Sequence, residues 1–118
     1  MGRTYLGEFE ELVLLVVGVL YEDAYAVSIT KEIESQSGRS VNVSAVHKSL
    51  YRLEEKGMLK SYLGEPESKR GGKRKRLFSI TPLGKKALDS SMDLRMSLRN
   101  QIPDLAFKWQ SREREFPE

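Results

Sequence analysis

Residues 43–76 read VSAVHKSLYRLEEKGMLKSYLGEPESKRGGKRKR, and no other stretch restricts the fold as much. Val46, Leu50 and Leu53 recur at i, i+4, i+7, so one stripe of a helix faces inward. Ser44, His47, Lys48, Tyr51 and Arg52 then fall on or near the opposite side. Gly57 stops this helix as a C-terminal glycine does. A short apolar run at 58–63 comes next, then a polar excursion broken by Pro66, Gly71 and Gly72, then a second apolar run at 77–80. Breakers between two short apolar runs predict a hairpin. The stretch is therefore a helix offered outward with a two-stranded ribbon beside it. The N-terminal part of the chain reads as its support, and the C-terminal part reads as a pairing device.

Charge is concentrated on that ribbon. Of the 118 residues, which carry a net charge of +3, positions 60–76 hold seven basic side chains against two acidic ones. The rest of the chain is thus mildly acidic. A local basic finger on such a body points to contact with a polyanion. Six of the cations, Lys69, Arg70, Lys73, Arg74, Lys75 and Arg76, surround the Gly71-Gly72 pair. Glycine lets the turn bend sharply and approach a backbone closely. Arginine at a hairpin tip suits the narrow, electronegative minor groove. A solvated charge run or a localisation patch is the plainer reading. The placement between two strands favours the contact.

The outward face of the 43–55 helix completes the pattern. A helix fits the major groove of B-form DNA, and its N-terminal turns reach base edges. Asn42, Ser44, His47 and Lys48 stand at that end, with Tyr51 and Arg52 within reach of the phosphate backbone. The ordinary alternative is an amphipathic helix with a wet face.

Other chemistries find little here. There is no cysteine, which removes thiolate chemistry and disulfides and fits a reducing cytoplasm. One histidine without cysteines makes no zinc cluster. The Gly71-Gly72-Lys73 piece is no P-loop, because Glu67 stands at its first glycine position and Arg74 replaces the Ser or Thr. No nucleophile–base arrangement stands out, so a binding protein without catalytic residues or cofactor is expected. The apolar run at 12–20 is too short for a bilayer and comes after Glu8, Glu10 and Glu11.

Along the chain, the pattern predicts a mainly α protein with a small β-hairpin. Helix one is expected over 8–21, its acidic first turn suiting a helix N-terminus. It is apolar on so much of its circumference that part of it, through Phe9, Val13 and Val16, is expected to bury against a second copy. Helix two is expected over 24–37 with Gly38 as its stop, then a very short strand at Val41 and Val43. Asn42 caps helix three. Strands at 58–63 and 77–80 form the hairpin. Thr81-Pro82 then starts a last helix, Thr as cap and Pro at the first helical position. That helix carries Leu88, Met92, Leu98 and Ile102 towards a dimer partner, and Pro103 kinks or ends it. A further short helix is expected over 104–110, and the tail at 111–118 is polar. Met92, Met96 and Trp109 could line a pocket for a small-molecule effector, with dimer packing as the plainer reading.

These residues carry a family resemblance. The run VHKSLYRLEEKGML at 46–59, the run GKRKRLFSITPLG at 72–84, and residues 12–20 with Tyr25 and Ile29 resemble the PadR family of bacterial and archaeal transcriptional regulators. The likeness covers about residues 5–90. It implies a winged helix-turn-helix over 1–82 and a C-terminal dimerisation helix over 83–110. It further implies a homodimer, usually a repressor, on a pseudo-palindromic operator. The chain departs from the family at His47, where Tyr is usual, at Ala24, where Gly is usual, and in its more basic wing. The competing readings are a winged-helix module that docks on an acidic protein and a nonspecific nucleic-acid binder.

Overall fold

A computed structural model of the chain describes residues 6–66 and 74–107. Helix α1 (Glu8–Leu20) opens on Gly7, whose backbone N–H donates to the Glu10 carboxylate at 3.1 Å. A short 3-10 turn, Tyr21–Asp23, leads to α2 (Ala26–Ser37). This helix starts two residues later than the sequence pattern predicts. Ala24 and Tyr25 are extended, and the Ala24 carbonyl accepts from the Phe78 N–H at 2.9 Å, which draws this segment alongside the hairpin. Gly38 ends α2 in the left-handed region with φ of 74°.

The predicted strand at Val41 and Val43 does not form. Val43 is instead the first residue of α3 (Val43–Glu55), and the Val41 N–H donates to the Glu34 carboxylate at 3.0 Å. Asn42 caps α3 as expected, its side-chain oxygen accepting from the Ser44 N–H at 2.7 Å. Gly57, with φ of 80°, turns the chain into β1 (Leu59–Leu63). β1 pairs antiparallel with β2 (Arg76–Ile80), Leu59 opposite Ile80 and Leu63 opposite Arg76. Helix α4 (Pro82–Gln101) comes last, capped by Thr81. Helical backbone resumes at 104–107 after Pro103, while residues 108–110 of the predicted short helix, including Trp109, lie outside the described residues.

The core is what the stripes require. Val46, Leu50 and Leu53 of α3 meet Ile29 and Ile33 of α2 and Val13, Leu14 and Val17 of α1, and Met58, Leu59 and Phe78 close the hairpin side. Each such side chain contributes roughly 1.5–3 kcal/mol on burial. Among the described residues every buried polar side-chain atom has a hydrogen-bond partner. No single described helix is long and apolar enough to cross a membrane.

One expectation for α1 is corrected. The apolar pattern predicts Val13 and Val16 at a dimer interface, but both are buried in this chain's own core and have almost no surface to offer a partner. The outward apolar face of α1 is Val19, with Leu12 and Leu15 half-buried and Phe9 partly covered by the Arg39 guanidinium.

The acidic first turn of α1 does more than suit a helix dipole. Glu8 pairs with Arg39 at 3.2 Å, before α3, and Glu10 pairs with Lys56 at 2.8 Å, at the end of α3. Glu11 accepts from the Ser91 hydroxyl and meets Arg95 Nε at 3.4 Å, both on α4. Burial pushes the Glu10 pKa up, but the hydrogen bond from Lys56, the Gly7 amide and the charges of Lys56 and Arg52 outweigh it, and the carboxyl titrates below its ordinary value.

The join between hairpin and α4 is close. The Thr81 N–H donates to the Met58 carbonyl at 3.1 Å, and the Thr81 hydroxyl donates to the Gly57 carbonyl at 2.6 Å while accepting from the Gly84 N–H. Gly84 lies so near that a Cβ there would stand 2.2 Å from the Met58 oxygen. This seat fixes where the ribbon returns to the end of α3. Ala87 and Leu88 still pack against the core, and from Asp93 on α4 is exposed at every residue; the radius of gyration is 19.0 Å, against about 13 Å for a compact chain of this size.

Candidate nucleic-acid interface

Three elements bring the candidate residues to one surface. The inward stripe of α3 is consumed by the core, so Ser44, His47, Lys48, Tyr51 and Arg52 are all exposed. Asn42 is exposed beside them at the helix N-terminus, where its side chain serves as the cap. The His47 and Tyr51 rings, one turn apart, lie 6.2 Å from each other. Lys48 precedes Tyr51 by three residues and so neighbours it on the helix surface.

The ribbon meets this face at a cleft of about 550 Å³. His47 and Tyr51 form one wall and Arg74, Lys75 and Arg76 another, with Tyr25, Val27 and Phe78 completing it. The exposed helix and the basic return strand thus share one concavity. Lys69, Arg70 and Lys73, the remaining predicted cations of the loop, lie outside the described residues.

Arg74, Lys75 and Arg76 are held in place by contacts of their own side chains. Arg74 Nε donates to the Gly64 carbonyl at 2.9 Å, across the mouth of the hairpin. Lys75 Nζ sits 4.3 Å from the centre of the Tyr25 ring, a cation–π contact. Arg76 donates to the Ser61 hydroxyl at 3.0 Å, and that hydroxyl donates to Glu54 at 2.7 Å, so the strand is tied to α3. A guanidinium has five donors, and one bond to the protein leaves the rest for another acceptor. Positioning a cation in this way reduces the side-chain entropy lost when it meets a phosphate.

Arg52 has a second duty. Its charge is one of those that hold the Glu10 carboxyl below the ordinary range. The sequence pattern alone passes over Tyr25, which reads there as packing. It lies on the cleft because Ala24 and Tyr25 run beside β2, and the only hint is its position just before α2. Among the described residues no three His, Cys, Asp or Glu side chains gather as a metal site.

The residues expected at a dimer contact divide into two groups. Leu88 and Met92 are half-buried, while Leu98 and Ile102 are exposed. Leu94 and Leu98 are exposed one turn apart on α4, and Ile102 and Leu105, past its end at Gln101, are exposed as well. Exposed apolar side chains gathered on one arm mark a candidate interaction surface. Met92 and Met96 border a shallow hollow of about 400 Å³ with Asp93, Arg95 and Arg99.

Comparison with known proteins agrees with this architecture. Solved structures of similar fold include RosR of H. salinarum, 20% identical, with 97% of this chain and 96% of that one covered and a TM-score of 0.67. A PadR family transcriptional regulator from Eggerthella lenta DSM 2243 is 24% identical, with 84% and 86% covered and a TM-score of 0.63. A PadR family transcription regulator from Clostridium difficile R20291 is 22% identical, with 75% and 91% covered and a TM-score of 0.58. Identities this low speak for the fold, a winged helix-turn-helix with a long C-terminal helix after it. Among curated proteins the chain has no significant match. The sequence profile described as "Transcriptional regulator PadR-like family" matches residues 13–90, which include the exposed helix, the hairpin and the seat of α4. The chain belongs to the PadR-like family of transcriptional regulators.

Proposed function

We propose that the chain is a sequence-specific DNA-binding regulator that works as a homodimeric repressor on a pseudo-palindromic operator. The observation that carries this reading is the shared cleft, in which His47 and Tyr51 of α3 and the anchored cations Arg74, Lys75 and Arg76, leading into β2, face the same space. In the proposed complex α3 enters the major groove by its N-terminal turns. Ser44, His47 and Lys48 face base edges, and Tyr51 and Arg52 reach the backbone. Arg74 and Arg76, with the loop cations Lys69, Arg70 and Lys73, hold the flanking backbone or minor groove. Each phosphate they neutralise adds roughly 0.9 to the slope of affinity against salt.

The exposed apolar side chains of Leu94, Leu98 and Ile102 support pairing of two copies. A two-fold dimer would set two α3 helices about one DNA turn, roughly 34 Å, apart. Occupying that length of duplex excludes other proteins from it, which is repression in its simplest form. The hollow beside Met92 and Met96 is the proposed entry for a planar aromatic effector, to be followed by titration calorimetry.

The deciding experiment is selection of bound sequences from a random duplex pool, with sedimentation of the protein alone and with the winner. The expected result is an enriched two-fold-related motif bound by a dimer. An unenriched pool with binding abolished by random competitor would show a nonspecific binder. No duplex binding at all would favour the protein-docking alternative.

A further inference from the structure

Helix α4 behaves as a lever with one seat and one clasp. The seat is its first two turns, where Gly84 lies against the Met58 carbonyl and Ala87 and Leu88 pack half-buried against the core. From Asp93 to Gln101 every residue is exposed. A polar tie to α1 spans the start of that exposed segment, from Ser91 to Arg95. Glu11 is buried, accepts from the Ser91 hydroxyl, and meets Arg95 Nε at 3.4 Å. Ser91 and Arg95 are four residues apart and therefore share one face of α4.

A buried carboxylate is a poor way to gain stability, because desolvation offsets most of the attraction. Its gain is directional, since hydrogen bonds fix an angle that apolar contact leaves loose. From the glutamate's burial and its two partners on a single helix, we infer that the Glu11–Ser91–Arg95 clasp sets the direction of α4 relative to the domain bearing α3. In a homodimer it thereby sets the separation of the two α3 helices and the half-site spacing that the protein accepts. The spacing part of this inference rests on the proposed function; the direction of α4 within one chain does not.

The geometry gives the effect its size. From Gly84 to the end of α4 is about 25 Å, so a swing of about 10° moves the far end by about 4 Å, against a rise of about 3.4 Å per base pair. Releasing the clasp is therefore expected to blur the preferred spacing by about one base pair. Glu11 is a positioning residue here and touches no DNA.

The test uses the full chain, which has no cysteine of its own. Spin labels are placed on Lys31→Cys of α2 and Asn100→Cys of α4 in one chain, diluted with unlabelled protein so that distances within a chain dominate. With Glu11 and Ser91 intact the distance distribution is narrow. Glu11→Ala and Ser91→Ala each broaden it by several ångströms, and Ser91→Thr, which keeps the hydroxyl, restores it. Unchanged distributions in both alanine variants overturn the clasp, and Ser91→Ala, on a half-exposed helix position, guards against a simple folding defect. On duplexes with half-sites moved by one base pair, the native chain prefers one spacing and the variants lose about tenfold of that preference. A retained preference overturns the spacing role. A native chain with no preference among duplexes refutes the proposed function, while the distances still decide the clasp.

Discussion

Gly84→Ala should be far more damaging than a glycine-to-alanine change in a helix has any general reason to be. The added Cβ would stand 2.2 Å from the Met58 oxygen, 3.0 Å from its carbonyl carbon and 3.0 Å from Ile80 Cγ2. Two of these three atoms are backbone, so the helix start has to retreat by about an ångström. Retreat disrupts the Thr81 N–H bond to Met58, the Thr81 hydroxyl bond to Gly57 and the cap on Gly84. Losing the cap costs about 1 kcal/mol, and the two remaining hydrogen bonds about 1 kcal/mol each. The helix-propensity gain of alanine returns at most about 1 kcal/mol. With residual overpacking of about 1–2 kcal/mol, the net loss is about 3–4 kcal/mol.

At a urea m-value of about 1.5 kcal/mol/M, that loss lowers the unfolding midpoint by about 2–3 M. Gly18→Ala is the matched control. Its Cβ would meet only the tip of the Ile80 side chain, at 3.1 Å, which can rotate away. Its midpoint should hold or rise, by up to about 1 kcal/mol in stability. Both variants are compared with the parent at one protein concentration, since any self-association would make the midpoint depend on it. A Gly84→Ala midpoint within about 0.3 M of the parent, or an equal fall in Gly18→Ala, would refute the seat as the join between hairpin and α4.

Three further outcomes are expected. Lys48→Ala weakens binding to the selected duplex and changes base preference, whereas Arg74→Ala weakens binding to all duplexes and lowers the salt slope by roughly 1; titrations at several salt concentrations separate the two, and equal effects would contradict the assignment of roles. Leu94→Glu, among the exposed apolar side chains of α4, yields a monomer by sedimentation with its circular dichroism intact, and a surviving dimer would place the interface elsewhere. Glu10, whose folded pKa is depressed, contributes stability that is fully present above the ordinary glutamate value of 4.5 and is lost as pH falls through the lower folded value. Glu10→Gln should flatten the stability-against-pH curve in that acid window, and an unaltered curve would mean that the Lys56 pairing contributes nothing.

Local signals are legible in the sequence and long-range ones are not. The Val46, Leu50, Leu53 stripe, the Asn42 and Thr81 caps and the Gly38 and Gly57 stops depend on neighbours within a few residues, and each is found where the spacing places it. Val13 and Val16 read as interface because α1 is apolar nearly all round, and periodicity cannot say which side the chain itself covers. Val41 and Val43 alternate like a strand, but Glu34 captures the Val41 amide and the Asn42 cap draws Val43 into α3. Glu8, Glu10 and Glu11 look like a helix start, and their separate partners Arg39, Lys56 and Arg95 are distant in the chain. Tyr25 reads as packing until β2 is laid beside it and Lys75 comes to rest over its ring.

Whether the outward face of α3 and the return strand of the ribbon act as a single DNA-contacting surface is decided by amide and side-chain NMR of the labelled protein as the selected duplex is added. A single surface predicts shifts concentrated at Ser44, His47, Lys48, Tyr51, Arg74 and Arg76 together. Shifts confined to α4, or to either α3 or the ribbon without the other, would contradict it.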